Sequence, residues 1–320
     1  MFATAPLSDA QLRQYINAES VFSALEAARH SAAQVRGGML WRTVDGRRYL
    51  IRTSASGGQK SLGPEAPETA AMYERFTEKK QAAEQRLRAL RAALDEQRRL
   101  NRALRVGRVP KIVVDTLNAI AAHALARNFV TVGTHALYAY EAAAGLRLDE
   151  GTLATRDIDL FFDATSHMQF LGALRTQKTT LLGILRKADK SFQVRQDQKQ
   201  TAVNDQGFEI DFIRREHKGR DPHPLALSEH PDEDSLWAVQ VSSGDQMDSG
   251  GRFRQMVVST TGEMASLETL SPTAFVRIKK ALAASPTRDR LKAPKDARQA
   301  QVVQWMLDER MLIPQDAASA

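Results

Sequence analysis

The 320-residue sequence contains no cysteine. That absence excludes disulfides, thiolate metal sites and cysteine nucleophiles, and leaves oxygen and nitrogen groups to do any chemistry. Long apolar runs are also missing. No stretch approaches the roughly 20 residues needed to span a bilayer, and Met1-Phe2-Ala3-Thr4-Ala5-Pro6 lacks a basic segment followed by an apolar one. The expectation is a cytoplasmic protein with no membrane partner. Acidic residues are in relative shortage, 38 against 45 Lys and Arg, for a net charge of +7 and a pI near 9.7. Such a balance suits polyanionic partners such as RNA or DNA.

Glycine and proline vanish again between Glu68 and Leu104, where Ala, Glu, Arg, Leu and Gln dominate. These are good helix formers, and they predict one long charged arm with an incomplete leucine stripe at Leu87, Leu90, Leu94 and Leu100. The arm offers a packing or oligomerisation surface. Its arginines read first as a solvated face, although they are able to meet phosphates. Upstream, Met39–Arg52 reads as a hairpin turned at Asp45-Gly46, and Gly57–Pro64 as a turn-rich connector that fits no phosphate-loop pattern.

From Val109 the pattern alternates between helical and strand-like segments. The expected division is 1–108 for an N-terminal helix, hairpin and arm, 109–265 for a mixed α/β core, and 266–320 for a C-terminal helical region. Within the core, helices are predicted over Pro110–Arg127, Ala136–Ala144 and Met168–Lys187. Strands are predicted over Phe129–Val132, around Asp157, near Ser191–Arg195 and Thr201–Val203, over Phe208–Ile213, and near Leu236–Val241 and Gln255–Thr260. Helices near Pro272–Ala284 and Pro294–Arg310 close the chain.

Arg156-Asp-Ile-Asp-Leu-Phe-Phe162 is an apolar strand interrupted by two carboxylates. Residues i and i+2 of a strand share a face, so Asp157 and Asp159 project together, with Ile158, Leu160 and Phe162 opposite. Aspartate is poorly suited to strands, and two adjacent carboxylates repel unless a cation lies between them. Hard oxygen-ligated cations such as Mg²⁺ fit that need and leave positions for substrate phosphates. Glu209-Ile-Asp-Phe-Ile213 repeats the pattern, and Asp211 would complete a three-carboxylate site able to hold two divalent ions. Val130-Thr-Val-Gly-Thr-His-Ala136 runs a strand into a glycine turn and a helix, a place where backbone N–H groups favour an anion.

Gly133-Thr134, Asp157-Ile158-Asp159 and Asp211 together resemble the polymerase-β-type nucleotidyltransferase superfamily. Val132–Glu141 followed by Thr155–Leu160 is similar to a bacterial branch distantly related to the abortive-infection toxin nucleotidyltransferases. The resemblance implies an α/β (α+β) mixed-sheet core and transfer of a nucleoside monophosphate from an NTP to an acceptor hydroxyl with Mg²⁺ or Mn²⁺. It assigns Gly133 and Thr134 to the β,γ-phosphates, Asp157 and Asp159 to metal, and Asp211 to metal and to activation of the acceptor. The tail segment Ser271–Lys280 is similar to a helix that supplies a basic residue, placing Lys279 or Lys280 on the triphosphate. His135 either faces the site or packs beneath it. The acceptor implied by analogy is RNA, tRNA or protein, and a toxin-like or defence role is compatible with it. The competing reading is a catalytically silent nucleic-acid-binding protein with this fold.

Overall fold

The computed structural model describes residues 4–313 apart from 220, 221 and 233. The chain divides into two compact units, one of residues 13–104 and one of 1–12 with 105–320.

In the 13–104 unit, strands Gly38–Val44 and Arg47–Thr53 pair antiparallel. Asp45 (φ 48°) and Gly46 (φ 76°) occupy the left-handed turn that such a hairpin requires. The Gln59–Pro64 segment, expected as a connector, is instead a third antiparallel strand on this hairpin. Its polar residues and Gly63 hide its extended backbone from pattern reading. Helix Pro67–Ala103 follows, 37 residues long, with proline in its first turn. The Thr69 hydroxyl accepts from the Ala66 N–H at 2.9 Å, capping the helix start. Leu87, Leu90 and Leu94 are half-buried along its inner stripe. Leu100 does not join them and is 40% exposed.

The other unit is built on a nine-stranded mixed sheet. Its main path runs Leu225–Ala226, Trp237–Gln240, Glu209–Arg214, Asp157–Phe162, Phe129–Val132, Met264–Leu270, Arg252–Val258. Asp157–Phe162 lies parallel to Glu209–Arg214 and antiparallel to Phe129–Val132. Gln198–Val203 adds antiparallel to Glu209–Arg214. The architecture is therefore the mixed α/β sheet expected, with a helical C-terminal region of Pro272–Ala284 and Lys292–Asp308.

Ile158, Leu160, Phe162, Ile210 and Phe212 fill the main core, together with Phe129, Tyr140 and Phe170. A smaller cluster of Val130, Val132, Phe161, Ile213, Leu270 and Ile278 packs on the other side. The sheet is thus anchored on both faces, which fixes the strand ends that carry the aspartates. Two further expectations change. The helix predicted over Met168–Lys187 is two, His167–Thr176 and Leu181–Ala188, separated where Lys178 takes φ 50°. The strand Met264–Leu270, not expected, pairs with Arg252–Val258. Among the described residues no helix is long and apolar enough to cross a membrane.

Candidate active site

Strand register brings the carboxylates together. Asp211 pairs across from Asp159, and Glu209 from Asp157, in the parallel ladder, while Val132 faces Asp159 from the antiparallel side. Asp159 thus sits between the acidic strand and the strand that ends in the glycine turn. One carboxylate oxygen from each of Asp157, Asp159 and Asp211 lies within 4.8 Å of the other two, and all three residues are half-buried. The Thr155 hydroxyl donates to Asp157 and the Thr201 hydroxyl to Asp211. These bonds hold two of the three side chains toward a common point.

Holding three negative groups there is costly. Burial, then the charges of Asp157 and Asp211, push the Asp159 carboxyl up to about 7. Asp211 is also raised, chiefly by burial and against the pull of its Thr201 hydrogen bond. An all-oxygen cluster destabilised by its own repulsion is matched to a hard divalent cation, whose charge removes the penalty. The residues present therefore fit such an ion.

Gly133 takes φ 68° and opens a single 3₁₀ turn, Gly133–Ala136, before helix Leu137–Ala144. A Cβ at this position would overlap Asp159 Oδ2 and lie 3.4 Å from its Cγ. Only glycine tolerates both the left-handed backbone and this close approach. The Thr134 hydroxyl accepts from Gln299 Nε2 at 3.2 Å, and Gln299 also donates to the Thr152 carbonyl at 2.9 Å. His135 is buried, with its ring 5.6 Å from that of Tyr138. Burial lowers its pKa to about 4 despite the opposing Asp157 carboxylate.

A cleft of about 460 Å³ opens beside these groups, lined by Gly133, Thr134, Asp157 and Asp159. Four cations, Lys279, Arg288, Lys292 and Lys295, line the same cleft, Lys295 also donating to the Ala154 carbonyl at 2.6 Å. Lys279 is buried and donates to Asp296 Oδ1 at 2.7 Å, while Arg288 holds Asp296 Oδ2 at 2.7 Å. Burial lowers the Lys279 pKa, with the Asp296 charge opposing. Lys280, named with Lys279 from the sequence, points elsewhere: it is exposed and donates to Gln304 Oε1 at 3.3 Å. An apolar lining of Val241, Met247, Leu270, Ile278 and Leu282 completes the cleft.

Sequence reasoning singled out the carboxylates and the glycine turn but not Arg288, Lys292, Lys295 or Asp296 as cleft residues. The available signals were the density of basic residues between Arg277 and Arg298 and the resemblance of Lys295-Asp296 to a helix-start motif of the family, which was not placed in the cleft. A family model described as Nucleotidyltransferase matches residues 111–320. No curated protein matches the chain, and no solved structure does.

Proposed function

The chain belongs to this nucleotidyltransferase family, and from that premise we propose that it transfers a nucleoside monophosphate from an NTP to an acceptor hydroxyl, releasing pyrophosphate. The observation that supports this most is a cluster of three carboxylates, two of which, Asp157 and Asp159, line the same cleft as a side-chain-free turn and four cations.

Asp157, Asp159 and Asp211 would hold Mg²⁺ or Mn²⁺, which when bound neutralises the phosphates and the leaving oxygen. The backbone at Gly133 and the Thr134 hydroxyl would receive the β,γ-phosphates, with no Cβ in the way. Lys279, Arg288, Lys292 and Lys295 would meet the triphosphate within the cleft, and the apolar lining would receive the nucleoside. Lys280 is left out, because its ammonium is engaged outside the cleft. Asp211, raised above the usual carboxylate range, would accept the acceptor's proton as its oxygen bonds to the α-phosphorus. The bond from that phosphorus to the bridging oxygen breaks, and the electron pair leaves with pyrophosphate. Positioning and charge neutralisation supply most of the rate in such displacements.

The test incubates purified protein with each α-labelled NTP, Mg²⁺ or Mn²⁺, and total RNA or total protein. Label transfer that disappears in Asp157→Ala and Asp159→Ala supports the enzyme. Absence of transfer with every NTP and both pools, alongside intact RNA binding in the two variants, would favour the silent nucleic-acid-binding reading.

A further inference from the structure

The net charge of the chain is confined to one of its two units. Residues 13–104 contain 17 Lys and Arg against 10 Asp and Glu, an excess of +7. The remaining residues contain 28 of each sign and cancel. The unit that holds the candidate active site is therefore neutral overall, and the net positive charge of the protein resides in the sheet-and-helix unit to which no chemistry has been assigned.

Within that unit the two faces of the three-stranded sheet use their arginines differently. On the face toward helix Pro67–Ala103, the ring of Trp41 lies 6.0 Å from that of Tyr73. Arg52 donates to the carbonyls of Arg36, Gly38 and Thr53 and stacks 4.5 Å above the ring of Phe76. Arg48 pairs with Glu65 at 2.7 Å. These cations are committed to internal contacts. The outer face is different. The register sets Arg42 opposite Tyr49 and Val44 opposite Arg47, which puts all four side chains on one side of the sheet.

Arg42 and Arg47 are exposed, and among the described residues neither pairs with a carboxylate; Arg42 donates only to the neutral Gln59, at 2.8 Å. Leu40 and Val44 on this face are 39% and 47% exposed. Arg42, Arg47, Tyr49, Ile51 and Ser61 line a shallow cavity of about 540 Å³, in which Asp45 is the single acidic residue.

We infer that this outer sheet face is a docking surface for single-stranded RNA. A sheet face that offers a half-buried aromatic ring beside two arginines without carboxylate partners matches what unpaired nucleotides require: a platform for one base and cations for the flanking phosphates. Duplex DNA is the poorer fit, since Leu40 and Val44 add apolar area that phosphate ridges cannot use. The inference goes beyond the transferase reading and rests on the charge partition and the sheet geometry. Where both hold, it names RNA as the class of acceptor.

The test uses the full-length protein in EDTA without nucleotide, so that its outcome is independent of transfer activity. Binding of a fluorescein-labelled 20-nucleotide single-stranded RNA is followed by anisotropy from about 50 to 300 mM KCl. Arg42→Gln/Arg47→Gln is expected to weaken binding at least tenfold and to flatten the log K against log salt slope by about 1.4, or roughly 0.7 per lost phosphate contact. Tyr49→Leu is expected to weaken binding roughly tenfold with the slope unchanged. The control Arg88→Gln/Arg99→Gln, on the exposed side of the long helix, should bind as wild type does. Equal losses in the control and sheet variants would overturn the inference, as would tighter binding to a duplex DNA of the same length. So would a sheet face that instead mediates self-association, seen as a dimer in sedimentation that Arg42→Gln/Arg47→Gln dissociates.

Discussion

Gly133 lies so close to Asp159 that its missing side chain is what lets the glycine turn and this carboxylate share one corner of the cleft. Gly133→Ala adds a methyl that overlaps Asp159 Oδ2 and forces an L-residue to φ 68°. The strained backbone alone costs about 1–2 kcal/mol, and the carboxylate must swing aside. Label transfer should fall at least a hundredfold while the protein still folds. Thr134→Ser, which keeps the hydroxyl that accepts from Gln299, should retain most activity. An active Gly133→Ala would show that the turn is not part of the site.

Asp159 should trade stability for metal binding. Its folded carboxyl is raised from 3.8 to about 7, so between these values the folded state binds more protons than the unfolded one. Stability from this group is therefore present at low pH and lost as pH rises through about 7. Asp159→Asn, measured at pH 8 in EDTA, should raise the melting temperature by roughly 5 °C, corresponding to about 2 kcal/mol after allowance for partial exposure. Added Mg²⁺ should stabilise the wild type and leave the variant unchanged. A variant that melts lower than wild type in EDTA, with its Mg²⁺ response intact, would remove Asp159 from the metal site.

His135 has the opposite pH signature. Its pKa is lowered from 6.5 to about 4 by burial, so between those values the unfolded chain takes up a proton that the folded chain refuses. Stability is fully present above about pH 6.5 and lost progressively as pH falls toward 4, by roughly 3 kcal/mol in all. His135→Phe retains an aromatic ring against Tyr138 and Phe208 and cannot titrate. Denaturant unfolding at pH 7 and pH 5 should show a smaller acid loss in the variant than in wild type. Comparing the two proteins cancels the contribution of Asp159, which runs the other way over an overlapping range. Equal acid losses would mean that His135 is protonated in the fold.

The Asp157–Phe162 strand was legible because its aspartates break a local rule: strand propensity and hydrophobic burial both argue against them. Asp211, on a strand with the same apolar spacing, was then expected to join them from a neighbouring strand, and the structure adds that it pairs directly with Asp159. Other features depend on contacts that no short pattern encodes. Lys279 and Lys280 are neighbours in sequence, yet about 100° apart around their helix; which one enters the cleft is decided by where helix Lys292–Asp308 packs. Arg288 and Lys292 reach the cleft from the connection between the two C-terminal helices and from the first residue of the second helix, so they share no periodicity with Lys279. Gln59–Pro64 reads as a loop because its polar, glycine-containing composition supplies no alternation, and its pairing partner alone makes it a strand.

Lys279 and Asp296 form a buried ion pair within the cleft wall, and its structural and functional parts separate by mutation. Asp296→Asn leaves the Lys279 ammonium and the Arg288 guanidinium facing each other without their shared counter-charge. Breaking one half of a buried pair costs about 3–5 kcal/mol, so this variant should be strongly destabilised. Lys279→Met should cost less, because Asp296 keeps Arg288 as its partner. Replacing both, Lys279→Met/Asp296→Leu, removes the desolvation penalty along with the attraction and should recover most of the stability lost in Asp296→Asn. Transfer activity should not recover with it, since one of the four cations proposed to meet the triphosphate is gone. Lys280→Met, outside the cleft, should match wild type in both measurements. A double variant that is both stable and active would assign the pair a purely structural role.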